Sequence, residues 1–243
     1  MTTIRYAFSW LVMNYYGGMA RFAYRLSFFA AASTYGIVVY KTQRARAKTG
    51  AAPVGVRGLL ADENVQYLLM ALVWLTFPQY PLALLPYVVF SVFHVATYTR
   101  SNLIPIFSPP AQSADGSRQR VNSPLADKIG AFVKEYYDAS MSIVATLEIL
   151  LLFRVFLSAL LFQRRSWILL GIYTVFLRSR YAQSSHVQTS LNQLCARVDH
   201  LVGAQGTPPA AKQAWDVVKN MARQFHDATD INRYASGPSK KSS

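Results

Sequence analysis

Residues 65–99 read VQYLLMALVWLTFPQYPLALLPYVVFSVFHVATYT, thirty-five positions without an Asp, Glu, Lys or Arg. The run is too apolar for a soluble surface and longer than the roughly 20 residues of one membrane span. Its prolines account for the excess. Pro78 removes a backbone donor and clashes with the preceding turn, whereas Pro81 can open a new helix at its first position. Two apolar helices joined by a tight turn follow: a membrane hairpin bent at Pro78 and Pro81. The first leg, Val65–Phe77, has thirteen residues, about 20 Å of helix against a hydrocarbon core of about 30 Å. The second leg, Leu82–Thr99, is long enough to cross, or nearly so. A soluble core hairpin would need a cover for all thirty-five uncharged residues, and nothing else in the chain could provide it.

The composition agrees. Apolar residues make up 52% of the 243 and charged residues 15%, below the usual quarter, and the charges are concentrated outside the apolar runs. The expected fold class is an all-α integral membrane protein. It would be built of membrane-embedded helical hairpins with short legs, followed by cytosolic amphipathic helices. A net charge of +14 would suggest nucleic acid in a soluble protein. Here the basic residues sit in juxtamembrane loops and the tail, where they favour anionic headgroups and the cytosol. The lipid bilayer, not nucleic acid, is the partner this implies. Cys195 is the single cysteine and no Asn-x-Ser/Thr acceptor occurs, which fits little exposure to an oxidising lumen. The N-terminus lacks a signal-peptide pattern.

Residues 1–25 mix Tyr6, Trp10, Tyr15, Tyr16 and Tyr24 with Arg5, Arg21 and Arg25, a composition suited to the headgroup region. An interfacial segment is expected there, broken at Gly17-Gly18. Residues 22–40 form a span if Arg25 snorkels to the surface; a functional charge is the other reading of Arg25. Residues 41–64 read as a basic cytosolic loop, and 65–99 as the hairpin. Residues 100–139 read as a cytosolic Pro/Ser-rich linker followed by a helix start.

Ser140–Phe162 is the second strongly apolar run, and it contains Glu148 and Arg154. Its fourteen Leu, Ile, Val and Phe residues favour insertion by about 0.3–0.6 kcal/mol each, while each charge opposes it by about 2.5–3.5 kcal/mol. The sums nearly cancel, so this helix needs a partner. Glu148 and Arg154 are six apart and lie on different faces. Each therefore needs its own partner on a neighbouring helix, or water. A structural ion pair and a functional intramembrane charge are the two readings. Beyond Gln163–Ser166, the piece Trp167–Leu177 has eleven residues, about 17 Å of helix. Residues 140–177 thus read as a second hairpin with a short leg.

Charge asymmetry fixes the expected topology. If both hairpins return to their side of origin, residues 41–64, 100–139 and 178–243 share one side with 5, 5 and 9 Lys/Arg. The opposite side carries three in the N-terminal segment and two in the 163–166 turn. That split obeys the positive-inside rule and places the C-terminus in the cytosol.

Residues 178–243 read as amphipathic helices and a flexible tail. Val187, Leu191, Leu194, Val198 and Leu201 recur at helical spacing, with Ser184 or Ser185 as cap and Gly203 as stop. Pro208-Pro209 opens another helix. Trp215, Val218, Ala222 and Phe225 lie on its apolar face, suited either to a membrane surface or to packing on the preceding helix.

No enzyme is legible. His94, His186, His200 and His226 have no metal-ligand spacing, and no glycine-rich phosphate loop or nucleophile elbow occurs. No catalytic residue, metal or cofactor is expected. His94 reads as a buried or interfacial histidine. A small transporter or channel using Glu148 and Arg154 is the competing function, but too few full-length spans exist to enclose a pathway.

The segment FSVFHVATYTR, Phe90 to Arg100, follows a proline-punctuated apolar run and resembles the signature of the transmembrane protein 33 family. TLEILLLF around Glu148 and FLRSRYAQSS are similar to that family too. The resemblance implies a non-enzymatic protein of the endoplasmic reticulum and nuclear envelope. It also implies links to reticulon-like proteins, to membrane curvature, and to nuclear pore assembly or distribution through nucleoporins. For fungal members it implies a C-terminal region that binds membrane and a nuclear transport receptor. Arg154 departs from the family pattern.

The last four residues, Lys240-Lys241-Ser242-Ser243, match the dilysine K-K-x-x pattern of retrieval to the endoplasmic reticulum. Gly237, Pro238 and the serines give the tail the flexibility to enter a receptor pocket. A solubilising basic tail is the alternative. Replacing Lys240 and Lys241 by Ser should send the protein towards the Golgi, seen by fluorescence localisation. Full retention would move the address to the membrane helices.

Overall fold

The computed structural model describes residues 2–50, 52, 55–107, 123–204 and 206–229. It has two units, Met1–Leu191 and Asn192–Ser243. Lys240 and Lys241 lie outside the described residues.

The first unit opens with α1 (Thr2–Leu11), which is not merely interfacial. Tyr6 is buried against Tyr24, ring centroids 5.1 Å apart, and Thr3 Oγ1 donates to Ser27 Oγ at 3.1 Å. Both contacts fold α1 back along α2 (Gly18–Lys48). Helix α2 outruns the expected 22–40 span: its last turns carry Arg44, Arg46 and Lys48, and it stops where Gly50 takes φ +67°. Cations suit a helix C-terminus, so the charges that suggested a loop extend the helix.

After the short α3 (Val56–Leu60), α4 (Glu63–Thr76) begins at Asp62, whose side chain accepts from the Asn64 N–H at 2.8 Å. At 14 residues α4 is about 21 Å long. The chain breaks at Phe77–Tyr80, and Pro81 starts a 3₁₀ turn, Pro81–Ala83, leading into α5 (Leu84–Tyr98). Helix continues through a π-helical segment, Thr99–Leu103, into α6 (Ile104–Phe107). Residues 100–107 are therefore helical, not linker.

Helix α7 (Pro124–Leu160) likewise starts well before Ser140, with Ser123 as cap and Pro124 in its first turn. Helix α8 (Ser166–Gln183) has 18 residues, about 27 Å. The expected short leg Trp167–Leu177 is thus lengthened past its first charges, because Arg180 is buried rather than solvated. Among the described residues, three helical stretches are long and apolar enough to cross a membrane: Gly18–Lys48, Pro81–Phe107 and Pro124–Leu160.

These helices alternate in direction. Early α2 meets late α4, where Arg25 Nη1 donates to the Trp74 carbonyl at 2.7 Å and also to that of Leu75. Later α2 meets early α4, where Tyr35 stacks on Tyr67 at 5.6 Å. Late α8 meets early α4 through Arg180 and Glu63. The α1–α2 break and the α4–α5 and α7–α8 turns therefore share one end, here called the turn end. Buried tyrosines share the interior with Phe28, Trp74, Leu151 and Leu169, while Phe22, Phe29, Val92, Leu150 and Phe153 are exposed.

The second unit includes most of α9 (Ser185–Gly203) and all of α10 (Pro209–Ala228).

Arg25 closes the open carbonyls of α4 from within the bundle. Arg25→Met should lower thermal stability in detergent by about 1.5–3 kcal/mol, the range for charge-assisted hydrogen bonds. Arg25→Lys should recover part of it. An unchanged unfolding curve would remove Arg25 from the fold's support.

Candidate functional site

The densest polar constellation is built around Glu148, the single carboxylate of the apolar segments. Glu148 is 1% exposed and Arg180 4%. Tyr67 Oη donates to Glu148 Oε1, and Arg180 Nε donates to Glu148 Oε2 at 3.5 Å. Arg180 Nη1 also donates to Glu63 Oε1 at 2.6 Å, and that side chain is 48% exposed. The guanidinium lies over the Tyr67 ring at 5.2 Å. Tyr173 Oη donates to the Glu148 carbonyl at 3.0 Å, and Tyr87 Oη to the Tyr67 carbonyl at 2.9 Å.

The network joins α4, α5, α7 and α8, and it runs from the solvated first turn of α4 inwards. Tyr67 is four residues beyond Glu63, about 6 Å along the axis. On α7, Glu148 is twelve residues before Leu160, about 18 Å from the turn end. Its donors belong to this chain. Tyr67, Arg180 and Glu63 were not singled out from sequence. The available signal was a lone carboxylate needing a cation, with Arg178 and Arg180 closing the second hairpin.

Arg154 does not join this network. Its Nη1 donates to Ser158 Oγ, one turn nearer the end of α7, and its guanidinium lies 5.4 Å from the Tyr80 ring. The two charges behind the transport reading therefore have separate partners. Pro78 lies in the α4–α5 break, and Pro81 is the first residue of the 3₁₀ turn. Tyr24 holds that turn: the Tyr80 N–H donates to Tyr24 Oη at 3.2 Å. His94 lines an apolar cleft of about 1080 Å³ between α1, α2 and α5. Among the described residues no three His, Cys, Asp or Glu side chains gather as metal ligands.

In the second unit Trp215 is half-buried, and its Nε1 donates to Asp199 Oδ1 at 2.7 Å. Lys219 Nζ reaches the same oxygen at 3.0 Å. The bonds from Trp215 and Lys219 hold the Asp199 carboxyl below its ordinary pKa. Trp215 is thereby committed to α9. Ala222 is exposed, and Val218 and Phe225 keep 50% and 45% exposure, so among the described residues the apolar face of α10 is only partly covered.

The family model for transmembrane protein 33/nucleoporin POM33 matches residues 1–227. Nucleoporin POM33 of Chaetomium thermophilum is 59% identical over 100% of this chain and 88% of its own length. Tetra-spanning protein 1 of Schizosaccharomyces pombe is 31% identical, over 91% of this chain and 79% of its own. Pore and endoplasmic reticulum protein of 33 kDa from Saccharomyces cerevisiae is 26% identical, over 81% and 76%. No solved structure matches.

Removing one charge of the buried pair should cost about 3–5 kcal/mol, and removing both much less. Detergent thermal unfolding should rank Arg180→Met as severe, Glu148→Leu next and Glu148→Gln mildest, because the Gln amide oxygen still accepts a hydrogen bond and Glu63 still faces the Arg180 cation. The double variant Glu148→Leu/Arg180→Met should be more stable than either single leucine or methionine variant. Additive losses would mean the two side chains act independently.

Proposed function

The chain belongs to the transmembrane protein 33/nucleoporin POM33 family, and from that premise we propose a non-enzymatic, multi-pass protein of the endoplasmic reticulum and nuclear pore membrane. It shapes or stabilises curved membrane there and supports pore assembly or distribution. The pore and reticulum addresses rest on the names of its relatives. The observation that carries the shaping role is the length of α4. Its 14 residues lie beside stretches of 27, 31 and 37 residues. A leg of about 21 Å reaches only part way through a core of about 30 Å. Placed on the cytosolic side by the charge split, it expands that leaflet more than the other and favours convex curvature. With α8 at near-spanning length, the two short legs expected from sequence reduce to this one.

The name of the Schizosaccharomyces relative counts four spans. Here α2, Pro81–Phe107, α7 and α8 supply four long helices, with α4 as the short fifth. The partly covered face of α10, at Val218, Ala222 and Phe225, is flanked by Lys212, Lys219 and Arg223. It suits an anionic membrane surface or a nuclear transport receptor. Reticulon-like proteins and nucleoporins are the partners proposed for the membrane part.

Purified protein should tubulate liposomes or reduce their diameter, seen by electron microscopy. Lengthening α4 by about seven leucines, two turns, should weaken this. An unchanged effect would remove α4 from the mechanism, and no remodelling by the natural protein would remove membrane shaping.

A further inference from the structure

Among the described residues, the segments that form the turn end of the first unit carry arginines and no carboxylate. Arg5, Arg21 and Arg25 lie in α1 and the first turns of α2, Arg154 near the end of α7, and Arg164 and Arg165 in the turn after it. Segments 1–40, 65–99 and 140–177 contain one acid, Glu148, and it is bound to Tyr67 and Arg180. Arg25 is committed to the carbonyls of Trp74 and Leu75.

Arg154 stands apart from these. It is exposed on the outer face of α7, among the exposed Phe153, Phe156 and Leu157, a face that meets lipid. A guanidinium has five N–H donors, and the protein partner here is the Ser158 hydroxyl. No salt bridge among the described residues includes Arg154. The buried Tyr80 ring backs the cation at 5.4 Å and fixes its position. Arg154 is six residues before Leu160, about 9 Å along the axis. By reaching for Ser158 its side chain bends towards the turn end, as a snorkelling arginine does.

We propose that Arg154, braced by Ser158 and Tyr80, binds the phosphodiester of a membrane phospholipid in the leaflet at the turn end. The planar guanidinium matches phosphate in bidentate fashion. Phe153, Phe156 and Leu157 lie along the acyl chains. The lipid, rather than free phosphate, is the occupant because the cation is surrounded by apolar side chains that face hydrocarbon. Among the described residues no carboxylate pairs with Arg154, and the lipid supplies the negative charge.

The test counts phospholipid retained by the full chain purified in a maltoside detergent, read by native mass spectrometry. Occupancy should fall about tenfold or more in Arg154→Gln, the loss of a charge-assisted contact. Arg154→Lys, which keeps charge but loses the fork, should be intermediate. A second measurement needs no variant to fold: solid-state NMR on arginine-labelled natural protein in phosphatidylcholine vesicles. It should show a ³¹P contact at the Arg154 guanidinium. Equal lipid retention in Arg154→Gln, or no ³¹P contact in the natural protein, overturns the site. Release of the retained lipid by inorganic phosphate alone would also overturn the lipid assignment.

Discussion

The fold turns on the carboxylate of Glu148. A lone acid in an apolar helix is tolerated only if it is paired and hydrogen-bonded. That requirement fixes the register of three helices at once. Arg180 must be reached by α8, which therefore continues to Gln183 instead of ending at its first charge. Tyr67 must face the same carboxylate, which sets the rotation of α4. Glu63 then takes the second side of the guanidinium at the solvated start of α4. Two carboxylates share one cation, and the half-exposed one is the one water can stabilise. A buried pair contributes little net stability compared with apolar packing. Its value here is specificity, since sliding α4 or α8 by a turn would strand a charge.

Lipid as solvent explains what surrounds this network. Between helices in a bilayer there is no hydrophobic driving force, because lipid tails are as apolar as leucine. The interior is accordingly not a leucine core. It is rich in buried tyrosines, Tyr6, Tyr24, Tyr35, Tyr67, Tyr80, Tyr87 and Tyr173, set among alanines and a few larger apolar side chains. Their rings pack edge to face or stacked, as Phe28 and Tyr87 do at 5.2 Å. Three of their hydroxyls reach backbone: Tyr24 at the α4–α5 turn, Tyr87 on α4 and Tyr173 on α7. Other large apolar side chains divide: Phe28, Leu151, Leu169 and Phe176 join the tyrosines inside, while Phe22, Phe29, Leu150 and Phe153 are turned outwards.

Hydropathy made the membrane helices and the Pro78–Pro81 bend legible, but it reads spans and not helices. A helix that leaves the bilayer keeps its geometry here while its composition becomes charged. That is why α2 continues to Lys48 and α7 begins at Pro124, with Asp127, Lys128 and Glu135 on its first turns. Composition treated both as loop or linker. The site was half legible. Glu148 stood out by its isolation, and its need for a partner followed from insertion energetics. The identity of that partner did not, because Arg180 sits at the apparent end of an apolar run, where a cation usually meets water. Arg154 had the same sequence signature as Glu148 and a different fate. It is close enough to the end of its helix to reach Ser158 and the ring of Tyr80.

The short α4 raises a difficulty that Arg25 resolves. A helix leaves its last four carbonyls without partners, and water normally takes them. One that stops short of the headgroups would leave them in hydrocarbon, at several kcal/mol for each unsatisfied group. Arg25 places its guanidinium against the carbonyls of Trp74 and Leu75, and the Phe77 N–H donates to that of Val73. Positive charge at a helix C-terminus also complements the macrodipole. Sequence suggested that Arg25 would turn outwards to reach the surface. Instead it turns inwards, and the charge that looked costly for α2 is what lets α4 end within the bundle. A short helix beside long ones is thereby a stable element of the membrane fold.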